Sequence, residues 1–241
     1  MNDLSKQVRL LKVYIAFLSF IVLGLGIIVA LFVRSQRFKQ ITAGQITAER
    51  INIVEPDGRL RMVISDQKNQ HPGMVGGKTM PDRERPAGMI FFNDSGDEDG
   101  GIVYDGNSKG ASMTYSFDQY KNDQIMQLQY SQDNDPKIAF RSYGLKLWDR
   151  PDSFTLAQLI GYADSLQKLK DRNAIKAGFD TLRASGKLGR ERFFAGKEEG
   201  GEVGLFLRDS KGNPRLKIYI DKNDQPVIEK LDKKGQVLQV F

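Results

Sequence analysis

The densest group of side chains able to do chemistry is the run Asn93-Asp94-Ser95-Gly96-Asp97-Glu98-Asp99-Gly100-Gly101. Hard cations want several oxygens close together, which makes Asp94, Asp97 and Asp99 candidate calcium ligands. The register departs from the usual calcium loop. Alternate positions from Asp94 fall on Gly96 and Glu98, and no glutamate stands where a bidentate ligand would close the loop. An acidic hairpin tip in water is the simpler reading, and no metal or cofactor is assigned. His71, the single histidine, sits beside Pro72 in a Gly/Pro-rich stretch. With no Gly-x-Ser-x-Gly elbow to serve, it reads as a solvated loop residue. Residues 73–79 end in Gly-Lys-Thr, as a phosphate loop does. Pro72 occupies the place of the leading glycine, and Pro81 and Pro86 follow where that motif needs a helix, which excludes it. The absence of cysteine excludes thiol catalysis, disulfides and thiolate metal sites.

A second group is suited to binding rather than catalysis. Trp148 and Arg150, in Trp148-Asp149-Arg150-Pro151-Asp152, could anchor a partner, as tryptophan and arginine often do. The plainer reading is a packing anchor, with Asp149 and Arg150 pairing locally. Lys168 and Arg172 open a basic run that continues through Lys176, Arg183, Lys187, Arg190 and Arg192. It suits anionic lipid headgroups, the acidic middle of the chain, or simply the solvated face of a helix. No aromatic interleaving or reading motif accompanies it, so nucleic acid is not an expected partner.

The formal charge of +6 is unevenly distributed along the 241 residues: +5 over 1–39, −5 over 40–164 and +6 over 165–241. Residues 13–33, VYIAFLSFIVLGLGIIVALFV, carry no charge at all. As a helix they reach about 30 Å, the thickness of a bilayer core. A cleaved signal peptide has an apolar core of about 7–15 residues followed by small residues, unlike Leu31-Phe32-Val33-Arg34. An uncleaved anchor is therefore expected. Lys6, Arg9 and Lys12 before it balance Arg34, Arg37 and Lys39 after it, so charge does not orient it. A short tail before a long anchor favours the following domain outside the cytoplasm.

The elements that must position these residues are mostly strands. Leu60, Met62 and Ile64 alternate with Arg61 and Val63; Met126, Leu128 and Tyr130 with Gln127 and Gln129; Leu216, Ile218 and Ile220 with Lys217 and Tyr219. A period of two marks half-buried strands. Between them recur Glu55-Pro56-Asp57-Gly58, Asn93-Asp94-Ser95-Gly96, Asp209-Ser210-Lys211-Gly212 and Asp232-Lys233-Lys234-Gly235, with Asp221-Lys222-Asn223-Asp224 as a degenerate copy. The first side chain can accept local backbone N–H bonds and the glycine can take positive φ, so each copy predicts a hairpin. Residues 66–87 read as a long exposed loop. Residues 155–184 read as helix, capped by Asp152 or Ser153, with a second short helix over 174–184.

ITAERINIVEPDGRLRMVISD, GMIFFNDSGDEDGGIVYDG, the WDRPD helix entry and GLFLRDSKGNPRLKIYIDKNDQPVIEKLDKKGQV together resemble a family of uncharacterised bacterial single-pass membrane proteins with D-x-x-G-x-x-R hairpin repeats. The resemblance covers most of 46–241. It implies an architecture and carries no active site.

The expected fold is mainly β: an N-terminal transmembrane helix, then an antiparallel β-hairpin-repeat domain with a helical insertion. The expected divisions are a tail at 1–12, the transmembrane helix at 13–33, a stalk at 34–48, a β region at 49–151, the insertion at 152–186 and C-terminal hairpins at 187–241. The expected function is a membrane-anchored binding or structural module of the bacterial cell envelope, held in the inner membrane. Its partners are the lipid bilayer and either further copies of itself or a membrane protein. The alternatives are an extracytoplasmic carboxylate enzyme acting on carbohydrate, which needs two acids across a groove, and an accessory subunit of a membrane complex.

Overall fold

The computed structural model describes residues 2–35 and 42–240. The chain forms two units, Met1–Thr47 and Ala48–Phe241. The first holds helix α1 (Asn2–Ser35), in which an 18-residue window within Ser5–Leu31 reaches a mean hydropathy of 2.7. This helix is long and apolar enough to cross a membrane. The tail expected at 1–12 is helical from Asn2 onward, because a helix once nucleated propagates at little cost. Of the stalk expected over 34–48, residues 36–41 lie outside the described residues, and 42–49 contain neither helix nor strand.

The second unit is one antiparallel sheet of twelve strands plus a small separate hairpin. In chain order the elements are β1 (Arg50–Val54), β2 (Leu60–Ser65), β3 (Met74–Val75), β4 (Lys78–Thr79), β5 (Ala87–Phe92), β6 (Glu98–Asn107), β7 (Gly110–Asp118), β8 (Gln124–Asp133) and β9 (Phe140–Asp149). Helices α2 (Leu156–Gln167) and α3 (Arg172–Ala184) follow, then β10 (Arg190–Lys197), β11 (Val203–Arg208), β12 (Pro214–Ile220), β13 (Pro226–Leu231) and β14 (Val237–Val240). Each sheet strand pairs with the next along the chain; only the β3–β4 hairpin and the two helices interrupt the meander.

Turn chemistry sets this order. At Glu55, Asn93, Glu198, Asp209, Asp221 and Asp232 the same closure repeats: residue i donates to the carbonyl of i+4, and the N–H of i+3 donates to the carbonyl of i. Residue i+3 has positive φ in every case, with Asp224 (φ 60°) taking the place of glycine at one of them. This is a type I turn followed by a left-handed residue, which twists two strands into register. In Asn93, Asp209, Asp221 and Asp232 the side-chain Oδ1 also accepts the N–H groups of i+2 and i+4. The Asn213 side-chain amide and then those backbone bonds hold the Asp209 carboxyl below the usual carboxylate range, and the backbone bonds of Gln225 and Asn223 do the same for Asp221.

The main core is small. Val63, Ile90 and Phe92 are buried, and Leu60 and Met74 pack against them. Of the exposed loop expected over 66–87, Ala87 already begins β5, and residues 66–86 help to cover this cluster. Gln70 Nε2 donates to the Pro86 carbonyl at 3.1 Å, Arg83 Nε to that of Pro72 at 2.7 Å, and Arg50 Nη1 to that of Asn69 at 3.0 Å. His71 is buried rather than solvated: its ring meets Phe92 edge-on at 4.9 Å and Nδ1 accepts the Gly73 N–H at 3.0 Å. Burial, then the charges of Arg50 and Arg85, push its pKa down. The Gly-Lys-Thr stretch is the β3–β4 hairpin, with Gly76 and Gly77 at its tip.

Farther along, Phe194 and Phe206 form a second buried pair, stacked at 5.8 Å. It rests on three adjacent glycines paired across β9, β10 and β11: Gly144, Gly196 and Gly204. A Cβ at Gly196 would overlap the Tyr143 carbonyl oxygen, and one at Gly144 would meet the Phe194 ring at 2.7 Å.

The insertion is two helices. Thr155, not Asp152 or Ser153, caps α2 in a capping box with Gln158, and Asp171 caps α3. Asp152 accepts from Gln119 Nε2 at 2.6 Å instead.

Candidate functional site

Two places in the second unit could act on something else. The first is a cavity of about 520 Å³ bounded by residues 74–85, the start of β6, the β7–β8 turn and the first turns of α2. Met74, Met80, Leu156 and Ile160 supply apolar wall; Asp97, Glu98, Asp118, Asp123, Arg83, Arg85 and Lys121 supply charge. Most of that charge is internally matched. Glu98 is gripped by both Arg85 amino groups, each at 2.8 Å. Asp123 pairs with Arg150 at 2.9 Å, and Asp97 Oδ1 accepts the Gly77 N–H at 3.1 Å.

Among the carboxylates, Asp118 is the exception. Its Oδ1 is shut off from solvent without a hydrogen-bond partner. Burial, then the nearby charges of Glu98 and Asp123, push its pKa up to about 8, so the carboxyl is neutral at pH 7. The β7–β8 turn beside it holds Lys121 at φ 58°, a conformation that costs a non-glycine residue about 1 kcal/mol. That turn docks the insertion: the Lys121 carbonyl accepts the Leu156 N–H at 3.0 Å. Asn122 Nδ2 donates to the Pro151 and Phe154 carbonyls at 3.0 and 3.2 Å. The arrangement can clamp helix to sheet and can offer one neutral acid. Acid–base hydrolysis needs a second, unengaged carboxylate beside it, and Glu98 and Asp123 are each bound to an arginine.

The second place is a whole face of the sheet. In an antiparallel ladder, paired residues point to the same side. Following the pairs from β1 to β8 gives Ile51, Ile64, Met89, Ile102, Tyr115 and Leu128. From β9 to β13 the same row continues through Leu145, Ala195, Leu205, Ile218 and Ile228. No polar residue interrupts it across eleven strands. A parallel row runs Ile53, Met62, Phe91, Gly100, Phe117, Met126, Leu147, Phe193, Leu207 and Leu216 before ending at Lys230. Tyr104, Met113, Tyr130 and Tyr143 belong to a third row, which passes Lys197 before Val203 and Ile220. Many of these side chains are exposed, Leu128 at 58% and Ile64 at 38% among them. The opposite face carries Val63, Ile90, Gly101, Ser116, Gln127, Lys146, Phe194, Phe206 and Lys217 in register. The buried cluster and its covering loop are therefore on the more polar side.

The residues singled out in the sequence are not brought together. Asp94 is exposed and pairs with Arg61, Asp97 is buried under Gly77, and Asp99 is exposed on β6. No group of three metal-ligating side chains exists among the described residues. Trp148 lies half-buried on β9 opposite Glu191. Arg150 points inward, to Asp123 and the Gln124 carbonyl, while Asp149 pairs with Arg192; the local Asp149–Arg150 pair is not formed, because neighbours on a strand face opposite ways. Lys168 caps the end of α2 and Arg172 begins α3, both exposed. Along the basic run, Lys176 and Arg183 both pair with Asp180. Asp118 carried no sequence signal, since Ser116-Phe117-Asp118-Gln119 reads like any strand end. The apolar face did carry one: the period-two alternation, read one strand at a time.

No family model matches the chain, and neither a curated protein nor a solved structure does.

Proposed function

We propose that this chain is a membrane-anchored interaction module of the bacterial cell envelope. Helix α1 holds it in the inner membrane as a signal-anchor, and the sheet unit stands on the extracytoplasmic side. The supporting observation is the uninterrupted apolar row from Ile51 to Ile228, left uncovered on one sheet face while the loop over 66–86 packs on the other. Lone soluble domains rarely expose a contiguous apolar patch of more than a few hundred Å². Such a face on a tethered domain is a surface for contact rather than for turnover. The chemistry of the cavity fits this, because its carboxylates other than Asp118 are engaged in the fold. The test is fractionation followed by protease treatment of spheroplasts. The full chain is expected to sediment with membranes, to resist alkaline carbonate, and to lose the sheet unit to external protease. Recovery in the soluble fraction without detergent overturns the anchor; protection until the cells are lysed overturns the orientation.

A further inference from the structure

We infer that the apolar face of the sheet packs against the same face of a second copy of this chain, forming a two-fold, sheet-on-sheet dimer. This presupposes the interaction-module reading and names its partner. Area is the first support. Eleven strands spaced about 4.8 Å apart span about 50 Å, and three rows of residues add about 13 Å along the strands. Because the third row covers only the seven strands from Tyr104 to Ile220, the face offers on the order of 500 Å² per copy, or about 1,000 Å² for the pair, the size a specific interface has to reach.

Sheet architecture is the second. Open, twisted sheets seldom pass about ten strands without curling or packing against another sheet, and this one has twelve. Sheet faces pack about 10 Å apart with strands nearly aligned, and two identical faces match in length by construction. Composition is the third. Methionine, phenylalanine and tyrosine crowd the face and the charged residues in its rows are Lys197 and Lys230, the pattern of a protein interface core. The hydroxyls of Tyr104 and Tyr143 need polar partners that another protein surface can supply and an acyl chain cannot. Tethering both copies in one membrane raises their effective concentration further.

The geometry makes a positional prediction. Under a two-fold axis the centre of a row meets its own copy, and Leu128 is the central residue of the eleven-strand row. Gln127, its neighbour, points to the other face. Because the native chain has no cysteine, single variants Leu128→Cys and Gln127→Cys each report one position. In full-length protein reconstituted in phosphatidylcholine vesicles, a short bis-maleimide is expected to convert most of Leu128→Cys, and several-fold less of Gln127→Cys, to a covalent dimer. Light scattering in mild detergent should give a dimer mass for the native chain and a monomer mass for Leu128→Asp. Should Leu128→Asp fail to fold, the cysteine pair decides alone. Equal crosslinking at both positions, or a monomer mass for the native chain, overturns the dimer. A monomer in which the Leu128→Cys thiol resists aqueous maleimide and phospholipid co-purifies also overturns it, identifying lipid as the occupant and leaving the membrane-tethered reading intact. Solubility without detergent instead strikes the tether, and crosslinking then still decides the pairing.

Discussion

Asp118 is a carboxyl whose behaviour follows from position alone. Buried at the end of β7, near Glu98 and Asp123, it has a pKa raised to about 8 against an ordinary value of 3.8. Below about pH 4 it is protonated in the folded and unfolded chains alike, and its contribution to stability is present in full. Between that pH and about 8 the folded protein holds a proton that the unfolded chain has released, so stability falls as pH rises through this window and then levels off. Asparagine mimics the neutral acid. Asp118→Asn is therefore expected to match the native protein in thermal unfolding near pH 4 and to exceed it near pH 9 by on the order of 5 kcal/mol, about 1.4 for each tenfold change in proton affinity. Parallel pH profiles for the two proteins would show that Asp118 titrates normally. The hairpin aspartates go the other way: Asp209 and Asp221 are half-buried at their turns, and local N–H donors favour their charged forms.

At the scale of elements, the hairpins were legible and the coverage of the sheet was not. A residue able to accept two backbone N–H bonds, followed three positions later by glycine, has few other conformations that satisfy those groups. The copy at Glu198-Glu199-Gly200-Gly201 and the turn at Gln119 escaped the pattern; one has glycine at its third place as well as its fourth, and the other places its positive φ on Lys121. Residues 66–86 looked solvated because they are polar and rich in glycine and proline. Their burial depends on Arg50, Arg83, Arg85 and Gln70 bonding to distant carbonyls and carboxylates, which local composition does not encode. The Gly144–Gly196–Gly204 row is likewise a tertiary feature. With φ at 157° and a neighbouring carbonyl where a Cβ would stand, Gly196→Ala is expected to cost about 2 kcal/mol or more in urea unfolding. A loss below about 0.5 kcal/mol, the range of an ordinary surface substitution, would mean that the sheet relaxes freely there.

For the molecule as a whole, the two faces of the sheet differ in what mutation does to them. Val63 has no exposed surface, and Leu128 is more than half exposed. Val63→Ala is expected to cost about 2 kcal/mol by leaving a cavity in the small core, whatever the protein concentration. Leu128→Ala should cost less than about 1 kcal/mol at high dilution, where only cross-strand neighbours are lost. Its cost should grow with concentration, because a face that associates is stabilised by mass action. Unfolding of both variants across a hundredfold range of concentration separates the two behaviours, and a Leu128→Ala penalty independent of concentration would count against association through this face.

Chain order and side-chain type alone determined the apolar helix, the hairpins, and which residues share a sheet face, because helix length, turn geometry and the two-residue period are local properties of the backbone. Met62 and Ile64 do stand opposite Val63 in the alternation, but a bulge at Arg61 breaks it before Leu60, which packs on the Val63 side. What the alternation could not say is which side is covered: Val63 is buried and Ile64 open. Burial is settled by segments distant in sequence, here the loop over 66–86 packing on the more polar face, and the same holds for His71, Asp97 and Asp118. Long-range packing alone decided that the large apolar surface faces outward.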